Sequence, residues 1–299
     1  VVLLVSTSPV HGSSPSVAPA LTGSADLWRW GLAGMPSTSQ VPNSEVQAIG
    51  VRWYHNWGFQ PSAGAVGLTY FPLALRSWSS TDDCSGSDDG DIMLQRINNN
   101  EYANGTVWLV GNEVGLTADP SNPQRWTADD YARRYRICYR LLKGIEPANA
   151  SVAARNFQVG TGALLPPCTG CYTSGAIDGT DWMRRVRQSY QAQFGEPMPV
   201  DVYNIHLYGP PNDQGYAYLT QGTVAFRTAM ANEWGARDKP LVVSEIGVRE
   251  TVSWDASVSL LNRMIDFFNE TTSPSIGNAN DGNRLVQRWA WFTDLRPSY

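Results

Sequence analysis

Short apolar runs that end in glycine or in polar residues recur along the chain. Eight of them have the length and the β-branched or aromatic content of strands. They cover residues 27–33, 51–58, 68–75, 107–112, 156–163, 200–208, 240–246 and 285–292. Pro72 lies inside the third run, where it cannot donate a backbone hydrogen bond, so this run is expected to bulge or to end early.

Apolar residues recur at helical spacing between several of these runs. Helices are predicted at residues 92–99, 181–194, 223–234 and 255–269, and one more from Thr127 to a stop at Pro147. Thr127 and Asp130 are spaced nearly as in a capping box, which marks a helix start. Strands that alternate with helices predict an α/β fold, and eight such strands predict a (β/α)8 TIM barrel.

The length of the chain suits one barrel. It has 299 residues, and a barrel of this type typically needs about 250. Residues 1–25 are rich in Ser, Pro, Gly and Ala without periodicity, which predicts an N-terminal arm packed on the domain. No repeat or low-complexity linker divides the rest, so residues 26–299 are predicted to form a single barrel domain.

Composition argues against several classes of function. The net charge of −5 offers no basic field for nucleic acid, and no apolar run approaches the ~20 residues of a membrane span. The 3 His are too few for a hydrolytic metal cluster, the Asp-rich stretch 82–91 lacks calcium-loop spacing, and no phosphate loop or GxSxG motif occurs. No cofactor or metal is expected, and the chain is expected to be a monomer.

The cysteines introduce a second expectation. Cys168 and Cys171 are separated by two residues, as in a CxxC motif, in a loop rich in Pro and Gly, with no second such pair and no His nearby. A redox pair and half of a metal site are alternatives, but a loop-closing disulfide in a secreted or cell-surface protein is preferred. Cys138 lies in the middle of a predicted helix and is expected to be a small buried hydrophobe.

Two carboxylates occupy matching places in the pattern. Glu113 follows the fourth strand, and Glu245 lies at the end of the seventh. The C-terminal ends of the strands form the functional face of such a barrel, and its fourth and seventh strands face each other. Two carboxyl groups about 5 Å apart suit a retaining glycosidase. The alternative for Glu113 is a structural glutamate, buried or at the rim, that a neighbouring Arg satisfies.

The motifs around these carboxylates resemble a known clan. Asn112-Glu113, His206-Leu-Tyr208, Ser244-Glu245 and Trp289-Ala-Trp291 resemble the motifs of glycoside hydrolase clan A. Residues 53–58, 70–72, 200–209 and 289–292 more narrowly resemble the glycosyl hydrolase catalytic core group, family 128, of β-1,3-glucanases. The chain departs from that family at Val114, where proline is usual, and at Ile246, where an aromatic residue is common. Both departures leave the glutamate pair intact.

The resemblance implies a β-glycan substrate and a role for each motif. Glu113 would be the general acid/base and Glu245 the nucleophile. The residues implied to bind substrate or orient the nucleophile are Asn112 at the sugar 2-OH, His206 and Tyr208 beside Glu245, Trp291 under the −1 subsite, and Asn56 and Trp57 in the cleft. Trp78 and Trp254 are added as aromatic platforms because they lie in loops after the third and seventh strands. A barrel that binds glycan without cleaving it is the alternative function.

Overall fold

The structure is a computed structural model that describes residues 29–34, 43–48, 50–62, 65–75, 84–85, 89–115, 126–165, 178–248 and 253–292. Its strands are β1 (Trp30–Ala33), β2 (Trp53–His55), β3 (Thr69–Tyr70), β4 (Leu73–Ala74), β5 (Val107–Val110), β6 (Gln158–Thr161), β7 (Tyr203–Gly209), β8 (Leu241–Val248) and β9 (Arg288–Phe292). Its α-helices are α1 (Asn43–Ala48), α2 (Asp89–Asn98), α3 (Ala128–Leu142), α4 (Ala150–Ala153), α5 (Gly179–Phe194), α6 (Asp213–Asn232) and α7 (Trp254–Glu270). The predicted arm at residues 1–25 lies outside the described residues.

All named strands pair in parallel. One sheet has the order β3-β2-β1-β9-β8-β7, and the other has the order β4-β5-β6. Isolated parallel bridges, Gly160 to Val202 and Leu164 to Ile205, connect β6 to β7. Strands and helices alternate around this ring, which is the (β/α)8 barrel that the sequence predicts.

The second junction of the ring lies at Pro72, inside the third predicted strand. Phe71 N donates to Tyr54 O at 2.9 Å on the β2 side, while Leu109 N of β5 donates to Pro72 O at 2.9 Å. Proline has no N–H to continue the ladder, so β3 and β4 are separate strands that belong to different sheets. The predicted interruption at Pro72 is confirmed.

Alternating side chains along the strands produce two apolar layers. The inner cluster fills the barrel and comprises Ala33, Trp53, Phe71, Leu73, Val107, Leu109, Val202, Val242 and Ala290. The larger outer cluster packs the strands against the helices, and it includes the buried apolar faces of α3, α5 and α7. None of the helices in the described ranges is long and apolar enough to cross a membrane.

Helix termini follow the local signals in the sequence in most cases. The Thr127 hydroxyl accepts from Asp130 N, and the Asp130 side chain accepts from Thr127 N, so the capping box at the start of α3 is confirmed. Helix α6 begins at Asp213 instead of residue 223, because Asn212 caps it by accepting from Gly215 N at 2.9 Å. Two glycines in its first half had masked the helical pattern.

The expectation for Cys138 was wrong. Cys138 is fully buried, as expected, but it forms a disulfide with Cys84, with the Cα atoms 5.2 Å apart. This bridge ties the middle of α3 to the segment just before α2. Cys168 and Cys171 lie outside the described residues, so the predicted bridge between them stays a prediction.

Candidate active site

A β-bulge in β8 sets the geometry of the site. Ile205 is opposite Val243 in the β7–β8 register, but the next residue of β7, His206, is opposite Glu245, so Ser244 is an extra residue. Consecutive side chains of a regular strand point to opposite faces, whereas a bulge redirects one of them. Both Ser244 and Glu245 therefore contact the same imidazole, that of His206.

The carboxylate of Glu245 is buried and held at both oxygens. Trp57 Nε1 donates to Oε1 at 2.6 Å, and the Tyr208 hydroxyl donates to Oε2. An indole N–H is only a donor, so it requires an accepting oxygen. This environment suits an ionised carboxylate with a fixed orientation.

The backbone of Glu113 is unusual. It has a φ of 45°, in the left-handed region that non-glycine residues seldom adopt, and Gly111 before it has a φ of 95°. A Cβ at Gly111 would lie 2.5 Å from Val114 Cγ1, so glycine is required where the chain turns out of β5. This tight turn directs the Glu113 side chain, which is 25% exposed, toward His206.

The His206 imidazole lies between the two carboxylates. Its Nδ1 is 3.2 Å from Glu113 Oε1 and 3.4 Å from Glu245 Oε2, and its Nε2 is 3.1 Å from Ser244 Oγ. Complete burial opposes a positive charge on the ring, but Glu245 and then Glu113 outweigh it. The net effect raises the pKa of His206 above its ordinary value.

A second histidine supports the opposite side of Glu245. His55 Nε2 donates to Ser244 O at 2.9 Å and lies 4.0 Å from Glu245 Oε1. Burial is the main cause that lowers the pKa of His55 to about 4, with Glu245 opposing the shift and His206 adding to it. His55 is thus a neutral donor at neutral pH, and its role was not anticipated from the sequence.

One atom each from Glu113, His206 and Glu245 lies within 4.8 Å of the other two, and within the described residues no other such group could hold a metal ion. Cation binding would compete with the donors already on Glu245, Trp57 Nε1 and the Tyr208 hydroxyl. It would also displace the imidazole N–H that faces both carboxylates. The donor set therefore suits a pair of working carboxylates better than a metal centre.

Phe292, like His55, is a site residue that sequence reasoning missed. Its ring lies edge-on to Trp57 and to Tyr208, with centroids 5.6 and 5.9 Å apart, so it supports both donors to Glu245. Trp291, expected under the −1 subsite, packs against the outer cluster, whereas Phe292 packs against the inner one. Residues 289 and 291 share one face of β9 and residues 290 and 292 the other, and this alternation was the available signal.

The remaining predicted residues differ in how the structure places them. Asn112 lies half-buried directly before Glu113, and Trp57 is 38% exposed beside Glu245. The Asn56 amide donates to Gln60 O and Ser62 Oγ at 3.0 Å each and accepts from the Tyr70 hydroxyl. These bonds show that Asn56 organises the loop after β2, and its place in the cleft stays a prediction.

Two predicted aromatic platforms have side chains outside the described part of the chain. Trp78 lies outside the described residues, and Trp254 is described only through its backbone at the start of α7. Their place in a glycan-binding cleft stays a prediction.

Comparison with known proteins supports the barrel fold. No protein-family model matches the chain, and no curated protein matches it. Among solved structures, a family 128 (subgroup II) endo-β-1,3-glucanase from Sorangium cellulosum is similar, with a TM-score of 0.58, 18% identity, and coverage of 89% of this chain and 87% of that one.

Two further solved structures share this fold. A curdlan-specific family 128 exo-β-1,3-glucanase from Blastomyces gilchristii, in complex with glucose, aligns with a TM-score of 0.54, 19% identity, and coverage of 89% and 90%. The β-1,3-glucanase and allergen CJP38 of Cryptomeria japonica pollen aligns with a TM-score of 0.54, 16% identity, and coverage of 89% and 89%. At this identity the likeness establishes a common barrel fold.

Proposed function

We propose that this chain is a retaining glycoside hydrolase that cleaves β-linked glucan. The observation that carries the proposal is the proximity of the two glutamates. A carboxylate oxygen of Glu113 lies within 4.8 Å of a carboxylate oxygen of Glu245. Retaining enzymes hold their carboxyl groups about 5–5.5 Å apart, whereas inverting enzymes need room for a water molecule between carboxylate and sugar. The β-1,3-glucanases of the same fold make β-1,3-glucan the first substrate to test.

Glu245 is the proposed nucleophile. In the first step one of its oxygens attacks the anomeric carbon, the glycosidic bond breaks, and a glycosyl ester forms. The donors Trp57 and Tyr208 hold the carboxylate oriented for this attack. The neutral His55 beside Oε1 adds no positive charge that would compete for the nucleophile.

Glu113 is the proposed acid and base. It protonates the leaving oxygen in the first step and removes a proton from water in the second, so its proton is returned in each cycle. His206 faces both carboxylates and can strengthen its hydrogen bond to whichever carries the charge. Negative charge is lost from Glu245 and appears on Glu113 as the glycosyl enzyme forms. The N–H of His206, which faces both carboxylates, then donates its hydrogen bond mainly to Glu113.

The rest of the proposed site binds sugar. Asn112 is proposed to contact the sugar 2-OH, an interaction that strengthens in the transition state. The exposed part of the Trp57 ring, with Trp78 and Trp254, is proposed to offer apolar faces to the CH groups of glucose units. Secretion is part of the same proposal, because an enzyme that acts on such a polysaccharide would encounter it outside the cell.

Azide rescue tests the reaction and the assignment of roles together. Glu113→Ala should still form the glycosyl enzyme from an activated aryl β-glucoside, because a good leaving group needs no proton. Azide should then speed turnover and yield the β-glycosyl azide of retained configuration. Glu245→Ala should be inactive on natural glucan, and azide should yield the inverted product.

A panel of β-glucans with reducing-end detection provides the reference for these variants. The opposite pattern of azide products would exchange the roles of the two glutamates. Glucan binding by the wild-type chain without cleavage of any member of the panel would favour the alternative, a glycan-binding barrel. Wild-type rates for both variants on a cleaved substrate would place catalysis elsewhere.

A further inference from the structure

Trp57 contacts the candidate nucleophile with the edge of its ring. Its Nε1 donates to Glu245 Oε1 at 2.6 Å. Hydrogen bonds of this length to a charged acceptor belong to the stronger class. The sequence predicted Trp57 as a surface for sugar, a role that uses the face of the ring and does not require this contact.

The backbone of Trp57 is held in a conformation that bulky residues avoid. Its φ is 53°, in the left-handed region where a non-glycine aromatic residue is an outlier. Such conformations persist where the surrounding structure enforces them, and they cluster at functional sites. The local backbone is thus shaped to direct this one side chain.

The surroundings of Trp57 fit its ring closely. Gly34 has a φ of 73°, and a Cβ there would lie 2.8 Å from Trp57 Cη2, so only glycine leaves room for the ring. Phe292 and His55 meet the ring edge-on at centroid distances of 5.6 and 5.5 Å. Contacts from Gly34 just after β1, from β2 and from β9 therefore fix the direction of the indole N–H.

We propose that Trp57 is a positioning residue for Glu245, whose Oε1 it holds through its indole N–H while the Tyr208 hydroxyl holds Oε2. This inference rests on the proposed function and adds to it a task for a residue otherwise assigned to sugar binding. Donors from two different parts of the barrel, the loop after β2 and strand β7, prevent the carboxylate from rotating about its terminal bond. The nucleophile is then oriented before substrate arrives.

The indole N–H of Trp57 also has a role in the second step of the proposed reaction, the hydrolysis of the glycosyl enzyme. The ester of the glycosyl enzyme carries no negative charge, and the charge returns to Glu245 when water displaces it. A donor already aimed at Oε1 stabilises that developing carboxylate. Loss of the N–H should therefore slow breakdown of the glycosyl enzyme, so kcat should fall and the intermediate should accumulate.

Trp57→Phe isolates the hydrogen bond, because it keeps an aromatic face and removes the N–H. The expected result is a fall in kcat on the order of 10- to 100-fold with KM unchanged or lower. Trp234→Phe is the matched control: its Nε1 has no hydrogen-bond acceptor among the described residues, so its kinetics should match the wild type. A higher KM with unchanged kcat for Trp57→Phe would overturn the proposal and leave Trp57 as a sugar platform.

The indole N–H resonance of Trp57 gives a readout that needs no activity. Its assignment follows from its loss in Trp57→Phe. The resonance should move in Glu245→Gln and stay nearly in place in Glu113→Gln, with both variants melting within a few degrees of the wild type. No movement in Glu245→Gln would overturn the proposal even in an active enzyme. Movement in a chain that cleaves no β-glucan would support the contact and reject the proposed function, so the two failures are distinguishable.

Discussion

His206 Nε2 lies 3.1 Å from the hydroxyl of Ser244, and both side chains are buried. This contact occupies the ring nitrogen that faces away from the glutamates and leaves Nδ1 to face them. Ser244 also accepts from His55 through its carbonyl oxygen at 2.9 Å, and its N–H donates to Asn204 Oδ1 at 3.2 Å. One residue of the bulge therefore anchors the imidazoles on both sides of Glu245.

Ser244→Ala should impair catalysis and stability together. It leaves the buried His206 Nε2 without its partner, which is expected to cost about 1–2 kcal/mol of unfolding free energy. It also frees the ring to rotate away from the carboxylates, so kcat should fall on the order of 10-fold. Urea unfolding and steady-state kinetics measure the two effects.

Ser257→Ala on α7 is the control for that change. Its hydroxyl donates to the carbonyl oxygen of Ser253, the N-cap residue of α7, at 3.4 Å in an exposed hydrogen bond, so both quantities should remain at wild-type values. If Ser244→Ala lowers stability but leaves the pH profile and kcat untouched, the serine only fills space and does not position His206.

The barrel was predictable because buried parallel strands leave a direct mark in the sequence. Val107–Val110 is apolar at every position and is buried at every position, which is what helices covering both faces require. Pro72 was informative for the same physical reason, since a residue without an N–H must interrupt a ladder. Glu113 follows the end of β5 as predicted, whereas Glu245 lies beside the bulge inside β8, which continues to Val248.

Details that depend on long-range packing were not predictable in this way. Cys84 and Cys138 are 54 residues apart, and only the packing of α3 brings them together. The occupied amide of Asn56 depends on the path of its loop and on Tyr70. The bulge at Ser244 changes which side chains meet His206, and no local pattern signals the insertion.

Alanine substitution distinguishes an aromatic platform from a core residue by its effect on the stability of the protein. Trp254→Ala and Trp78→Ala should weaken binding of a β-1,3-glucan oligosaccharide several-fold and leave the melting temperature nearly unchanged. Trp108→Ala is the contrast, because Trp108 is a fully buried residue of β5 and its removal should cost about 3–5 kcal/mol. A large loss of stability for Trp254→Ala or Trp78→Ala would identify that residue as core.

The disulfide between Cys84 and Cys138 should contribute substantially to stability. Their separation of 54 residues defines a long loop, and closing a loop of this length removes unfolded-state entropy worth about 4 kcal/mol. The double variant Cys84→Ala/Cys138→Ala should melt well below the wild type under non-reducing conditions. Equal melting temperatures would contradict this contribution.

Thiol titration of the unfolded, unreduced chain tests the second predicted bridge. With Cys84 and Cys138 paired, the chain has two further cysteines out of 4. Two titratable thiols would mean that Cys168 and Cys171 are reduced, and none would mean that they are paired. Four would exclude both bridges.

His55 should make the folded chain sensitive to mild acid. Its pKa is lowered to about 4 in the folded chain by burial, whereas the unfolded chain has the ordinary value near 6.5. Between these values the unfolded chain binds a proton that the folded chain does not, so stability falls as pH falls through this window. The full difference in pKa corresponds to about 3 kcal/mol of unfolding free energy.

His206 affects stability in a different range of pH. Its pKa is raised in the folded chain, so its contribution to the unfolding free energy is complete below about pH 6.5 and is lost as pH rises through the folded pKa.

Urea unfolding of the wild type and of His55→Gln between pH 4 and pH 7 isolates the part due to His55. Glutamine can still donate to Ser244 O but does not titrate, so the variant should lose less stability than the wild type on acidification. The difference in unfolding free energy between the wild type and His55→Gln should narrow by about 3 kcal/mol from pH 6.5 to pH 4. Glu113, Glu245 and His206 face the same site and are present in both proteins, so their effect on the difference between the two proteins largely cancels. Parallel curves would show that His55 has the same pKa in the folded and unfolded chains, which would contradict the lowering of its pKa by burial.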